Sequence, residues 1–342
     1  MRVLLDTTYA RRGPSGTGVY IDRLAHALRE EGVEVVEAAN DRRPDPAGGG
    51  LGSVRNLALD QRWTQVELPR RARADHADVI HHPLPALAIK APCPQVVTIH
   101  DLAFERLPDC FSPAFRRYTS QAHRRAARGA QAVVAVSETT ARDARARWGL
   151  DPSKVVVAPH GPGQEPKLVA AVRAEHFLYI GDDEPRKNLA LLLDAHARYR
   201  AACKMVGGPA GLPLVLAGKA TAEQDGVRCE PEPDLAKLLN GTAALVHPSL
   251  HEGFGLTPLE AMFAGVPVVA ARSPGLTETC AGAVLYVDPH DAHELALTLA
   301  NVARDATLRA DLAHRGRERA SDFTWQASAR AHIAAYTLAG QR

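Results

Sequence analysis

The sequence predicts an α/β protein made of two doubly wound parallel sheets, one in each half. Short β-branched apolar runs alternate with longer amphipathic ones along the whole chain. The alternation pauses at the linker-like stretch 161–167, Gly-Pro-Gly-Gln-Glu-Pro-Lys, and then restarts. The 342 residues also suit two domains of roughly 150 residues each.

In the first half, Val3-Leu4-Leu5 reads as a strand. A turn with Gly13, Gly16 and Gly18 follows, then a helix over 19–30 with Ile21, Leu24, Ala25 and Leu28 at helical spacing. Val33 to Val36 is a second strand, and the Pro/Gly-rich stretch 41–52 is a loop. Strands are expected at 78–81, 95–99 and 132–136. Ser137 precedes an Ala/Arg helix over 138–147 as its N-cap, and Lys154 to Ala158 closes the half. In the second half, strands at 177–180, 214–217, 243–246 and 266–270 alternate with helices from Leu189 and over 256–264. The tail beyond His290 is helical. Ligands of such sheets sit beyond the carboxyl ends of the strands, so a two-domain version places its site in the cleft between them.

Composition narrows the function classes. The net charge of +2 gives no sign of nucleic-acid binding. Residues 1–164 carry 23 Lys+Arg against 18 Asp+Glu, a surplus of 5, and the basic run from Phe115 to Arg128 is amphipathic. An ordinary solvated helix and a peripheral contact with the inner membrane face both fit that run. The N-terminal apolar run is too short for a signal-peptide core, and no stretch approaches the ~20 apolar residues of a membrane span. A cytoplasmic location is expected. The cysteines (93, 110, 203, 229 and 280) are odd in number and scattered, which reads as free buried thiols.

The segment from Leu245 to Glu260 carries most of the functional information. A buried strand ends at His247-Pro248, a turn holds Gly253 and Gly255, and a helix begins near Leu256. Glycines let backbone N–H groups approach a ligand, and the helix N-terminus behind them favours an anion such as a diphosphate. Glu252 and Glu260 lie before and inside that helix, and carboxylates accept several hydrogen bonds from vicinal hydroxyls.

The run from Glu252 to Ala270 closely resembles the E-x7-E segment of retaining glycosyltransferases of family four, which have the GT-B fold. The stretch 181–189, Gly-Asp-Asp-Glu-Pro-Arg-Lys-Asn-Leu, resembles the family's diphosphate-binding stretch in its mannosyltransferase-like E-P-R-K-N form. His100-Asp101, Val136-Ser137-Glu138, Pro159-His160-Gly161 and Phe323-Thr324-Trp325 resemble further family motifs, in family order from Gly16 to Trp325. The resemblance implies two Rossmann-like domains facing across a cleft. They are an acceptor domain over 1–165 and a nucleotide-sugar donor domain over 166–325, with a helix over 326–342 crossing back to the first.

The resemblance also implies roles. Glu252 is the sugar-side carboxylate and Glu260 the ribose ligand. Arg186 and Lys187 clamp the diphosphate and stabilise the charge growing on the leaving group. His100 touches the donor sugar, and Gly16 and Gly18 form a donor-binding glycine loop beneath the cleft, near donor phosphate and acceptor. Gly181, Gly253, Phe254, Gly255 and Leu256 line the donor site. Family members commonly place an Arg where this chain has Asp182, which turns attention to Arg186. The implied reaction moves a hexose, with retained anomeric configuration, from a nucleotide diphosphate sugar to a glycan, lipid-linked or small-molecule acceptor. The leaving diphosphate helps to deprotonate the acceptor, and no cofactor or metal is required. GDP-mannose is the favoured donor and a UDP-sugar the alternative. Glu230, in the segment 227–231 expected just after a short strand, is a candidate to accept the N–H donors of guanine.

Other readings are weaker. G-x-G-x-x-G is incomplete, with Ile21 at its third glycine, which argues against a dinucleotide oxidoreductase. No strict D-x-D occurs, which argues against a metal-dependent transferase of the GT-A design. His247 and His251 are four apart, but Pro248 denies them one helical face as metal ligands. Another nucleotide-sugar activity on the same fold, or a membrane-surface binding role, is the alternative function.

Overall fold

The computed structural model describes residues 1–12, 15–42, 51–163, 174–207 and 210–342. Gly13, most of the expected 41–52 loop and residues 164–167 of the expected linker lie outside them. The chain divides into two compact units. One comprises Met1–Glu105, Ser112–Gly163 and Thr324–Arg342, and the other Arg106–Phe111 and Gln164–Phe323.

The first unit contains β1 (Arg2–Asp6), α1 (Gly16–Glu30), β2 (Glu34–Ala38), α2 (Leu51–Arg62), α3 (Leu68–Ala74), β3 (Val79–His82) and β4 (Gln95–Ile99). The chain continues through α4 (Ala103–Arg106), α5 (Pro113–Gly129), β5 (Ala132–Ala135), α6 (Glu138–Trp148) and β6 (Val155–Val157). Among the described residues its strands form a six-stranded parallel sheet in the order β2-β1-β3-β4-β5-β6. The second unit contains β7 (His176–Ile180), α7 (Leu189–Met205), β8 (Leu214–Ala217), β9 (Val227–Glu230), α8 (Leu235–Leu239) and β10 (Thr242–His247). It continues through α9 (Leu256–Ala264), β11 (Val268–Ala271), α10 (Pro274–Cys280), β12 (Leu285–Val287), α11 (Ala292–Arg304) and α12 (Ala306–Ala320). Its sheet is likewise six-stranded and parallel, in the order β12-β11-β10-β7-β8-β9. The last helix, α13 (Trp325–Gly340), belongs to the first unit.

Both sheets have helices to cover them, so their central strands are buried throughout and read as continuous apolar runs. In the first unit Val3 and Leu5 of β1 share a core with Tyr20, Leu24 and Leu28 of α1 and Ala329, Tyr336 and Ala339 of α13. In the second, Phe177, Leu216 and Val246 pack with Leu192 and Ala195 of α7 and Leu295 and Leu299 of α11. Strand order reverses between β1 and β3 in one sheet and between β7 and β10 in the other. These are the switch points where open α/β sheets bind ligands.

Three local expectations change. Gly16 and Gly18 are the first turn of α1 and not a loop, because the Ser15 Oγ accepts the Gly18 N–H at 3.0 Å and caps the helix there. Val227–Glu230 is itself the edge strand β9, paired with β8, and does not follow a strand. Helices fill 51–74, where the pattern expected loop at 51 and 52 and left 53–74 unassigned. A π-helical turn at Trp63–Glu67 joins α2 to α3, so buried Trp63, Leu68 and Ala72 fall out of a 3.6-residue period. Ser137 does cap α6, accepting the Thr140 N–H at 3.0 Å. The five cysteines carry free thiols, but only Cys280 is fully buried.

Candidate functional site

In the second unit two loops meet at the switch point. One leaves the carboxyl end of β7 and runs from Gly181 to Asn188. The other leaves β10 and runs from Pro248 to Gly255. The Leu250 N–H donates to the Arg186 carbonyl at 2.9 Å. The Asn188 amide donates to the carbonyls of Pro248 at 3.3 Å and Pro289 at 2.8 Å. This backbone bond and the two from the Asn188 side-chain amide hold the Arg186-Lys187 segment beside the turn that carries Glu252.

Glu252 is the centre of the cluster, with its side chain 12% exposed. Its Oε1 accepts from the Lys187 Nζ at 2.6 Å and from the His247 Nε2 at 3.0 Å. Its Oε2 lies 3.5 Å from the Arg186 Nη1, and the Arg186 Nε pairs with Glu184 at 2.9 Å. Burial opposes the charged carboxylate, yet Lys187, His247 and Arg186 outweigh it and hold the Glu252 carboxyl well below its usual range. Burial also lowers the His247 pKa against the pull of Glu252, so the ring is neutral and donates from Nε2. His247 is the last residue of β10 and is 2% exposed, with the Ser249 Oγ 3.2 Å from its Nε2.

The turn itself is built for close backbone approach. Gly255, the N-cap of α9, has φ +97°, a conformation that side chains disfavour. Gly275, in the first turn of α10, lies so near that a Cβ on it would sit 1.9 Å from the Glu252 carbonyl oxygen. Gly253 and Phe254 are buried, and the Phe254 carbonyl accepts from the Thr279 hydroxyl at 2.5 Å. Leu256 and Glu260 are half-buried on α9, between buried Leu259, Ala261 and Met262. At Gly181, the following Asp182 offers its carbonyl to the Tyr179 hydroxyl at 2.9 Å. Glu230 stands apart, 38% exposed at the end of β9, where its Oε1 pairs with the Arg228 Nε at 3.0 Å.

In the first unit His100 directly follows β4. Its Nε2 lies 2.9 Å from the Pro83 carbonyl, which can only accept, so the proton is on Nε2 and Nδ1 is left as the acceptor. Burial lowers the His100 pKa and keeps the ring neutral. The Tyr20 ring packs edge-on against His100 at 4.8 Å and also touches His160 at 4.8 Å.

The Tyr20 hydroxyl belongs to a buried chain whose direction is set by one carbonyl. The His332 Nδ1 must donate to the Ser328 carbonyl at 2.7 Å, so its Nε2 accepts from Tyr20 at 2.9 Å. The Tyr20 oxygen then accepts from Thr98 at 2.8 Å, Thr98 accepts from the His81 Nε2 at 2.8 Å, and the His81 Nδ1 accepts from Tyr336 at 2.8 Å. This chain ties β3, β4 and α1 to α13. Burial pushes His332 down to about 4, and His81 and His160 fall well below the ordinary histidine value for the same reason.

The structure thus gathers Arg186, Lys187 and Glu252 at one switch point, beside the Gly253–Leu256 turn, and places His100 at the carboxyl end of β4 in the other unit. Sequence reasoning weighed His247 only as a metal ligand and passed over Gly275. The usable signals were a histidine closing a strand two residues before Ser249, and a glycine placed inside a helix at the expense of propensity.

Comparison with known proteins agrees with this arrangement. Residues 14–162 match the Glycosyltransferase Family 4 model and residues 164–319 the Glycosyl transferases group 1 model. The chain is 27% identical to O-antigen chain mannosyltransferase B of Escherichia coli, over 99% of this chain and 100% of that protein. It is 30% identical to D-inositol 3-phosphate glycosyltransferase of Kribbella flavida over 61% of this chain, and spans 57% of that relative's length. Sucrose-phosphate synthase from Thermosynechococcus elongatus superposes with a TM-score of 0.75 at 20% identity, covering 98% of both chains. Anabaena Alr3699/HepE in complex with UDP and glucose does so with a TM-score of 0.66 at 18% identity, again over 98% of both. With the GT-B fold and these two matched regions in succession, the chain is a glycosyltransferase of the Family 4 and group 1 type.

Proposed function

We propose that the protein transfers a hexose from a nucleotide diphosphate sugar to an acceptor hydroxyl with retention of configuration. The carrying observation is the Lys187–Glu252–His247 cluster at the β7/β10 switch point, beside the glycine turn that opens α9. Such a site offers two cations and a helix N-terminus to a diphosphate, and a carboxylate to sugar hydroxyls. In this reading Lys187 and Arg186 stabilise the departing diphosphate, with Arg186 taking the part of the arginine replaced by Asp182. Glu252 binds the sugar, Glu260 the ribose, and Gly181 with Gly253–Leu256 lines the donor.

The donor site accordingly belongs to residues 166–325 and acceptor binding to residues 1–165, with 326–342 completing the acceptor domain. His100 accepts a donor-sugar hydroxyl at Nδ1, and Gly16 and Gly18, in the first turn of α1, bind the donor near its phosphate. The diphosphate leaving on the face where the acceptor enters takes up its proton, so no covalent enzyme intermediate, cofactor or metal takes part.

Mannose from GDP-mannose is the favoured donor, supported by the E-P-R-K-N-L form of the clamp and the similarity to an O-antigen chain mannosyltransferase. A UDP-sugar is the alternative, supported by the solved UDP complex of a neighbour with the same fold. Glu230 beside Arg228 is the proposed reader of guanine. The acceptor is a glycan, a lipid-linked sugar or a small molecule. For a lipid-linked acceptor, α5 is the membrane-facing element: it carries five arginines and no acidic residue, and Phe115 and Tyr118 are each 50% exposed.

A thermal-shift panel of GDP, UDP, ADP and TDP tests the donor. A nucleotide at ~100 times its dissociation constant adds about 2.7 kcal/mol of stability. Stabilisation by GDP supports mannose transfer, UDP alone redirects the donor, and no response to any of the four overturns the reading. NMR of the product anomer, with EDTA present, tests the chemistry: inversion, or loss of activity with chelator, contradicts it.

A further inference from the structure

Lys187 and Glu252 are both assigned above to the donor, one to its diphosphate and the other to its sugar. Here they hold each other at 2.6 Å. Arg186 is shared between Glu184 and Glu252, and Lys187 is held by Glu252. An incoming diphosphate gains the Lys187 charge only if Lys187 turns from the carboxylate to the phosphate oxygens. That movement would leave Glu252 ionised, buried and short of a partner, a state that is strongly disfavoured.

His247 removes this difficulty. Its Nε2 donates to the same oxygen that Lys187 holds, Glu252 Oε1, at 3.0 Å. The ring is fixed at the end of a central strand, between β11 and β7, and is almost fully buried. Its Nδ1 is buried without a hydrogen-bond partner among the described residues. An unpartnered lone pair costs less than an unpartnered N–H, so the proton stays on Nε2, facing Glu252. A neutral donor keeps the carboxylate in place without adding a second cation that would itself compete for the diphosphate.

We propose that His247 is a positioning residue that retains Glu252 for the donor sugar while Lys187 exchanges the Glu252 carboxylate for the donor diphosphate. The inference rests on the donor reading above. It makes Glu252 an internal competitor of the diphosphate and makes His247 the group that weakens this competition.

Isothermal titration of the full chain with GDP, UDP and inorganic pyrophosphate tests the exchange. Removing the competing charge in Glu252→Gln should tighten diphosphate binding about tenfold, the equivalent of 1.4 kcal/mol. His247→Phe should weaken it about tenfold, and His247→Gln, which returns an N–H near Nε2, should restore it. In the Glu252→Gln background, His247→Phe should have no further effect, a coupling that general damage to the fold would not produce. If His247→Phe does not fold, the tightening by Glu252→Gln and the near-native affinity of His247→Gln still decide. A wild type that binds these ligands, with no tightening in Glu252→Gln or with equal effects of His247→Phe in both backgrounds, overturns the exchange alone. A wild type that binds none of them overturns the donor reading and the exchange together.

Discussion

Gly275 lies against the carbonyl of Glu252 so closely that a methyl group on it would stand 1.9 Å from the oxygen. The atom in the way is backbone, so it cannot rotate aside. Gly275→Ala should cost about 3 kcal/mol, the upper part of the range for overpacking, or push the Glu252 turn out of place. Thermal unfolding measures the first outcome and loss of nucleotide affinity the second. A variant with native melting temperature and affinity contradicts the packing described.

Lys187 and Glu260 should fail in different ways. The charge that Lys187 meets grows in the transition state, so Lys187→Ala should lower kcat by about 100-fold, as loss of one oxyanion-stabilising donor does. A ribose contact is alike in ground and transition states, so Glu260→Ala should chiefly raise KM. Steady-state kinetics on both variants separate the two. If both lose only affinity, this division of labour is wrong.

Tyr20 joins Thr98 to His332 and is fully buried. Tyr20→Phe leaves one donor and one acceptor buried without partners, at about 1–3 kcal/mol each. Denaturant unfolding should show a loss of about 2–6 kcal/mol for the two together, with the slope unchanged. The Phe ring keeps the edge-on contact with His100, so the loss should be one of stability. A fully stable variant would show that the chain of hydrogen bonds is dispensable.

Acid should unfold the first unit through the same histidines. His332 titrates at about 4 when folded, against about 6.5 in an unfolded chain. Between those values the unfolded chain holds more protons, so stability falls as pH falls from 6.5 to 4, by about 3 kcal/mol for His332. Buried His81 and His160 act in the same direction. Glu252 adds a separate loss at lower pH. Its depressed carboxyl stabilises the fold above the ordinary glutamate range, and that stability disappears as pH falls through its folded value. Unfolding curves at stepped pH should show this slope, and His332→Leu should flatten it between 6.5 and 4.

Both sheets, and most of their strands, were legible in the sequence because buried parallel strands leave continuous β-branched apolar runs such as Val96–Ile99 and Val268–Ala271. The cap at Ser137 was legible because capping is a local interaction. Arg186, Lys187 and Glu252 were named as candidates because the stretches 181–189 and 252–270 resemble family motifs. The helices over 51–74 were not, because a π-turn breaks the period on which such a reading depends. Whether Gly16 and Gly18 make a loop or a helix start was decided by the Ser15 cap.

Tertiary structure alone determined what Glu252 touches. Its partners lie 65 residues away at Lys187, in the loop after β7, and five away at His247, at the end of β10, two strands made adjacent by the sheet order. The same holds for Tyr20 and His332, which are 312 residues apart. Sequence records which groups are present and what they do to the chain nearby. Which charge meets which, and which proton faces which lone pair, depends on the order of strands in a sheet and on the exclusion of water around it, and neither is a property of any local segment.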